Sequence, residues 1–189
     1  MTAILHWDEE IFRLINTAWQ HPFLDALMPY WRSKFLWMPF YLWIASFLLI
    51  NFKKQGFILM LAIGLTVGLT DFVSSTIIKK NVQRLRPCNT EILQEEVHLL
   101  VRCGSGYSFP SSHAANHFAM AVLFYATLGR FLGKAKIIFL LWAASIAFGQ
   151  VYVGVHFPVD VLFGSFLGIF LGALGIFFIK RFNLDILNK

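Results

Sequence analysis

The chain has 189 residues, of which 58% are hydrophobic and 14% charged, with 21 Phe and 6 Trp. A soluble domain of this size has no means of hiding so much apolar surface, and a mean hydropathy of +0.65 excludes disordered, collagen-like and ordinary cytosolic chains. The formal charge of +6 fits basic loops beside anionic lipid, not a nucleic-acid footprint. The expectation is an all-α integral membrane protein, one domain over residues 1–189. It is a helical bundle of five to six transmembrane helices with an N-terminal amphipathic segment.

Residues 1–34 set Ile4, Leu5, Ile11, Phe12, Leu14 and Ile15 at helical spacing among charged positions. The stripe pauses at Pro22 and resumes with Phe23, Leu24, Leu27 and Met28. One or two amphipathic helices in the membrane interface are predicted, anchored by Trp7, Trp19, Tyr30 and Trp31. Asp8, Glu9, Glu10 and Arg13 stand where a cleavable leader would carry its apolar core, so no leader is evident. Spans are predicted over 35–51, 56–78, 111–128, 135–155 and 158–179. A basic turn at 52–55, a polar segment over 79–110 and a basic loop at 129–136 separate them. If residues 10–34 also cross, there are six spans; the five-span reading leaves the arm outside.

The turns, the loop at 129–136 and the tail hold Lys53, Lys54, Arg130, Lys134, Lys136, Lys180, Arg181 and Lys189, half of the 16 Lys and Arg. A raw count therefore does not set the orientation. The short loops beside helix ends are purely basic, which places them in the cytoplasm and segment 79–110 outside. Cys88 and Cys103 both fall in that outward segment, and a disulfide between them is expected in an oxidising compartment. Gly64, Gly68, Gly164, Gly168, Gly172 and Gly175 suit close helix packing. His21 and His98 are expected at the surface.

Polar groups in so apolar a chain are costly, so their positions are informative. Three islands stand out: Lys79 to Pro87, Phe109 to His113, and Gly149 to Asp160. The span order brings all three to one membrane face. Lys79 and Arg86 offer positive charge for a phosphate. Ser111 and Ser112 open a helix, whose backbone N–H groups suit an anion. His113 and His156 can serve as acid and nucleophile, and Asp160, four residues after His156, can orient it.

These motifs resemble the type 2 phosphatidic acid phosphatase superfamily, the membrane branch related to vanadium haloperoxidases. Its pattern is Lys-x6-Arg-Pro, then Pro-Ser-Gly-His, then Ser-Arg-x5-His-x3-Asp. Lys79 and Arg86-Pro87 fit the first part, and Pro110-Ser111-Ser112-His113 the second, with Ser112 where Gly is usual. His156 and Asp160 fit the third, but the family Ser-Arg pair falls on Gly149 and Gln150. Loss of that charge costs a phosphate site about 1.5–3 kcal/mol. Two readings follow: Arg84, two residues before Arg86, supplies the missing charge, or the site is weaker or tuned to a different phosphate.

The resemblance implies a metal-independent lipid phosphatase that needs no cofactor. His156 would be the nucleophile, oriented by Asp160, with His113 as acid and then base. Lys79, Arg86, Ser111, Ser112, Gln150 and Arg84 would hold the phosphate. His113 and His117 would suit zinc on one helix face, but no third ligand accompanies them; His117 is expected to be a packed helix residue. Asp71 is expected beside the site or bonded to neighbouring hydroxyls. The implied substrates are undecaprenyl pyrophosphate, phosphatidylglycerol phosphate, phosphatidic acid and lipid A phosphates. The implied setting is a bacterial inner membrane with the site facing the periplasm, and nucleic acid is not an expected partner. The rival reading is a non-catalytic lipid-binding or transport protein with a degraded site, marked by Gln150. The oligomeric state is open at this stage.

Overall fold

The computed structural model describes residues 2–91, 93 and 95–181, with side chains from residue 6 onward. The predicted polar tail 182–189, including Lys189, and the side chains of Ile4 and Leu5 lie outside the described residues. The described secondary structure is helical. Helix α1 (Thr2–Arg13) runs into a wide turn at Leu14–Ala18, and α2 (Pro22–Trp31) follows. His21 caps α2 by accepting the Phe23 N–H at 3.2 Å, and Pro22 supplies a first residue with no N–H to satisfy.

Helix α3 (Met38–Asp71) contains a residue, Lys53, with φ 50° and ψ −122°. There the chain folds back on itself. A Cβ on Gly56 would collide with the Leu48 carbonyl oxygen, whereas in an unbroken helix those residues stand roughly 12 Å apart. The basic turn expected over 52–55 is thus centred on one residue. The chain continues through a wide turn at Phe72–Ile78 into α4 (Lys79–Val82), which ends at Gln83 in the left-handed region, φ 54°. The remaining helices are α5 (Ser112–Thr127), α6 (Ile138–Tyr152) and α7 (Pro158–Arg181). Among the described residues, three helical stretches are long and apolar enough to cross a membrane: Met38–Asn89, which includes the reversal, Gly133–Tyr152 and Pro158–Arg181. Helix α5, at 16 residues, is shorter.

Helices α5 and α7 meet backbone to backbone. A Cβ on Gly164 would stand 2.5 Å from the Ser111 carbonyl oxygen, one on Gly172 2.9 Å from that of Ala119, and one on Gly168 would run into that of Ala115. Small residues four apart on both helices let the axes approach. The contact has a chemical consequence, because the Ser111 N–H donates to the Asp160 carbonyl at 2.9 Å. It fixes the start of α5 against the start of α7. Gly64 and Gly68, expected to serve the same end, have open space where a Cβ would go.

The N-terminal arm packs against the bundle. Asp8, Phe12, Asn16 and Met28 are buried. Asn16 donates to the carbonyls of Tyr152 (2.7 Å) and His98 (2.9 Å) and accepts the His98 N–H. The Tyr152 hydroxyl donates to Asp25 at 2.6 Å, and Trp31 donates to Ser145 at 2.9 Å. Amphipathic spacing reports an apolar face but not what covers it; here α6 and the 79–110 segment do. His98, expected at the surface, lies 3.3 Å from Asp25. Trp7, Trp19 and Tyr30 remain exposed. Cys88 and Cys103 are joined by a disulfide with Cα atoms 6.1 Å apart.

Gly168→Ala should destabilise the protein by about 1–3 kcal/mol through forced separation of α5 and α7. Gly64→Ala, where a Cβ meets nothing, should be neutral or slightly stabilising. Chemical unfolding in detergent reads both.

Candidate active site

His156 sits in the turn between α6 and α7 and is buried. Gly154, at φ 84°, makes that turn; a Cβ there would be strained and would press on Val97 at 2.7 Å. The N–H of Phe157 donates to Asp160 Oδ2 at 2.9 Å, half of a capping box that starts α7. The same oxygen stands 3.6 Å from His156 Nδ1. The oxygen that caps α7 is therefore also the one that faces His156. Nε2, the other ring nitrogen, faces Arg86 Nη1 at 3.4 Å. Burial, and next to it the Arg86 and Lys79 charges, push the imidazole down to about 4 against the pull of Asp160, so it is neutral at pH 7.

Arg86 is held by carbonyls: its Nε donates to Gly106 at 2.9 Å and its Nη1 to Val155 at 3.1 Å. The Lys79 ammonium, carried on α4, makes no hydrogen bond or ion pair with the described residues. Neither cation has a carboxylate partner among those residues. Such charges call for an anion from outside.

Arg84 is placed differently from the sequence expectation. Its guanidinium donates to Asp160 Oδ1 at 2.8 Å and to Asp8 Oδ2 at 2.5 Å, and it lies over the Phe157 ring at 4.0 Å. Two carboxylates neutralise it, so it is not the free charge that the change at position 150 calls for. It acts on Asp160, whose two oxygens are held by Arg84 and by the Phe157 N–H. Asp8 Oδ1 also accepts the Val159 N–H at 2.8 Å, tying α1 to the first turn of α7.

The start of α5 brings three of the predicted residues together. Ser111 is the buried N-cap, and its hydroxyl accepts the Ala114 N–H at 3.4 Å. Ser112 Oγ is buried without a partner among the described residues. His113 is half-buried beside it in the first turn. The His117 ring lies 6.4 Å from that of His113 and nearly parallel to it. Both His117 nitrogens are occupied, Nδ1 by the His113 carbonyl at 2.7 Å and Nε2 by the Tyr41 hydroxyl at 3.3 Å. It is a packed helix residue. Asp71 accepts from Asn116 at 2.8 Å on the α5 side of the site. Gln150 is fully buried, and its Oε1 accepts from Arg32 Nε at 3.1 Å.

Two residues of the site lay beyond the sequence reading: Asp8 and Arg32, both from the arm. The available signal was the cost of burying charge. Arg84 stood outside the motif pattern in an apolar chain and required carboxylates.

Asp8→Asn should disturb Arg84 and, through it, Asp160. The expected cost of breaking this buried pair is about 3–5 kcal/mol. A double-mutant cycle with Arg84→Gln should be strongly non-additive, with the double variant little worse than either single one. Additive losses in thermal unfolding would show that the two groups act separately.

Three comparisons bear on this geometry. The family model described as PAP2 superfamily matches residues 55–183. A lipid A 4'-phosphatase of Bacteroides thetaiotaomicron is 35% identical over 136 residues, which cover 70% of this chain and 60% of that protein. The chain thus spans about three fifths of that relative's length. The crystal structure of Aquifex aeolicus LpxE superposes with a TM-score of 0.63 at 32% identity, covering 88% of this chain and 93% of that one. The crystal structure of a transmembrane PAP2 type phosphatidylglycerolphosphate phosphatase from Bacillus subtilis gives 0.74 at 28% identity, covering 96% and 88%. With the Lys79, Arg86, His113, His156 and Asp160 pattern brought to one end of the bundle and a family match over more than half of its length, the chain belongs to the PAP2 superfamily.

Proposed function

We propose that the protein is a bacterial membrane lipid phosphatase that cleaves a lipid phosphate through a phosphohistidine on His156. One observation carries the reading. His156 keeps a neutral Nε2 beside Arg86, with Asp160 behind Nδ1, and neither Arg86 nor Lys79 has a carboxylate partner among the described residues. A tetrahedral phosphate matches that combination of nucleophile and unpaired cations.

In the first step Nε2 attacks phosphorus, the N–P bond forms and the P–O bond to the lipid breaks. His113 gives its proton to the departing oxygen. In the second step His113 takes a proton from water, the water oxygen attacks phosphorus, and the N–P bond breaks to free phosphate and His156. Lys79, Arg86 and the N–H groups and hydroxyls at the start of α5 hold the equatorial oxygens. Asp160 stabilises the charge on His156 as it is phosphorylated.

The exposed apolar side chains Ile77, Val82 and Leu85 are close to the two cations in the chain. Acyl chains can lie against them while the headgroup phosphate reaches Lys79 and Arg86. The relatives' names support phosphate on lipid A or on phosphatidylglycerol phosphate as the first substrates to offer. Phosphatidic acid and undecaprenyl pyrophosphate complete the panel. The purely basic short loops support a site facing the periplasm.

The detergent-purified protein should release phosphate from at least one of these lipids with chelator present. His156→Ala should lower kcat by about 10³-fold or more. No release from any lipid by a folded wild type would favour lipid binding without catalysis. The nucleophile must be unprotonated, so the acid limb of kcat/KM should fall near pH 4, where His156 takes up a proton. An acid limb near 6.5, the ordinary histidine value, would contradict the buried environment described.

A further inference from the structure

Two positions depart from the family pattern in α6, Gly149 and Gln150, and both face one residue, Arg32. Arg32 Nε donates to Gln150 Oε1 at 3.1 Å. Its Cβ lies 3.5 Å from the point where a Cβ on Gly149 would stand. Arg32 follows α2, and α2 is fixed to α6 through Trp31–Ser145 and Asp25–Tyr152. The guanidinium has no carboxylate partner among the described residues. It is near enough to the site to repel Arg86. Burial and Arg86 hold it down to about 10, so it keeps its charge at neutral pH.

The Gln150 amide has one orientation that suits Arg32. Arginine only donates, so the oxygen of Gln150 must face Arg32 and the NH₂ group must face away. That Nε2 is buried and has no partner among the described residues, in a side chain that is fully buried. An orphaned buried donor is costly unless an acceptor arrives. Ser112 Oγ is orphaned in the same way. A phosphate oxygen answers both donors.

We propose that Arg32, delivered by the N-terminal arm and held by Gln150, is the third cation of the phosphate site and takes the place of the arginine the family carries at position 150. Gln150 then has two tasks: its oxygen fixes Arg32, and its NH₂ donates to the bound phosphate. The charge has moved from α6 to the arm, so the arm is part of the binding site. This inference rests on the phosphatase reading for its substrate, but its own observable is the binding of a phosphate-like anion.

Orthovanadate is the probe. Its dissociation constant would be measured by thermal stabilisation of the full-length protein in detergent, beside kcat/KM for phosphate release. Arg32→Ala should weaken vanadate binding and lower kcat/KM, each by about 10- to 100-fold. Arg32→Lys should recover part of the loss, since a point charge lacks the fork of donors. The decisive variant is the double change Arg32→Ala with Gln150→Arg, which should regain at least 10-fold over Arg32→Ala. It also guards against misreading a folding defect, because a single variant lost to unfolding is judged by whether the double variant folds and binds. Arg32→Ala with wild-type vanadate affinity and kcat/KM would overturn the proposal. So would a folded double variant with no recovery. A wild type that binds vanadate through Arg32 yet releases no phosphate would uphold this inference and overturn the hydrolase reading.

Discussion

Lys79, Arg86 and Arg32 are held at one end of an apolar bundle with no carboxylate partner among the described residues. Like charges brought together out of water repel, and each loses hydration. The arrangement is tolerable only because carbonyls and an amide oxygen take the donors of Arg86 and Arg32. Gly106, Val155 and Gln150 orient these cations without neutralising them. On the phosphatase reading proposed above, an entering phosphate would meet positive charge already in place, which is the preorganisation that phosphoryl chemistry needs.

The carboxylates are used elsewhere, and that division is the other half of the design. Asp8 and Asp160 share Arg84, while Asp160 also caps α7 and stands behind His156. Neutralised by two carboxylates, Arg84 supports Asp160, the partner of His156. The α5–α7 contact supplies the remaining constraint. Gly164, Gly168 and Gly172 let the two backbones touch, and the Ser111 N–H to Asp160 carbonyl bond sets His113 at a fixed height relative to His156. The packing of α5 on α7 and the geometry of the candidate site draw on the same few contacts, so damage to either reaches both.

Much of this was legible in the sequence. Composition gave the membrane bundle, Pro22 divided the arm, and the three polar islands named His113, His156, Asp160, Lys79 and Arg86. The relation of His156 to Asp160 followed from their four-residue spacing. The arm was the blind spot, for a physical reason. Its hydrophobic stripe is the same whether lipid or protein covers it, and only the structure shows that Asn16 bonds to the Tyr152 and His98 carbonyls. The partners of Arg84 were hidden for the same reason. Arg84 is close to Arg86 in the chain, but the structure pairs it with Asp8 and Asp160, and the side chain that meets Gln150 is Arg32, 118 positions away. Gln150 marked the vacancy, but nothing local pointed to its partner.

The most direct test of the whole account is the chemical identity of the covalent intermediate. The protein would be mixed with a radiolabelled lipid phosphate, quenched in alkali within milliseconds, digested and analysed by mass spectrometry under conditions that keep phosphohistidine intact. Asp160 stands behind Nδ1 and Arg86 beside Nε2, so the label should be found on Nε2 of His156 and should chase into free phosphate. Label on Nδ1, on His113 or on a serine, or turnover with no covalent phosphate at any time point, would contradict the account.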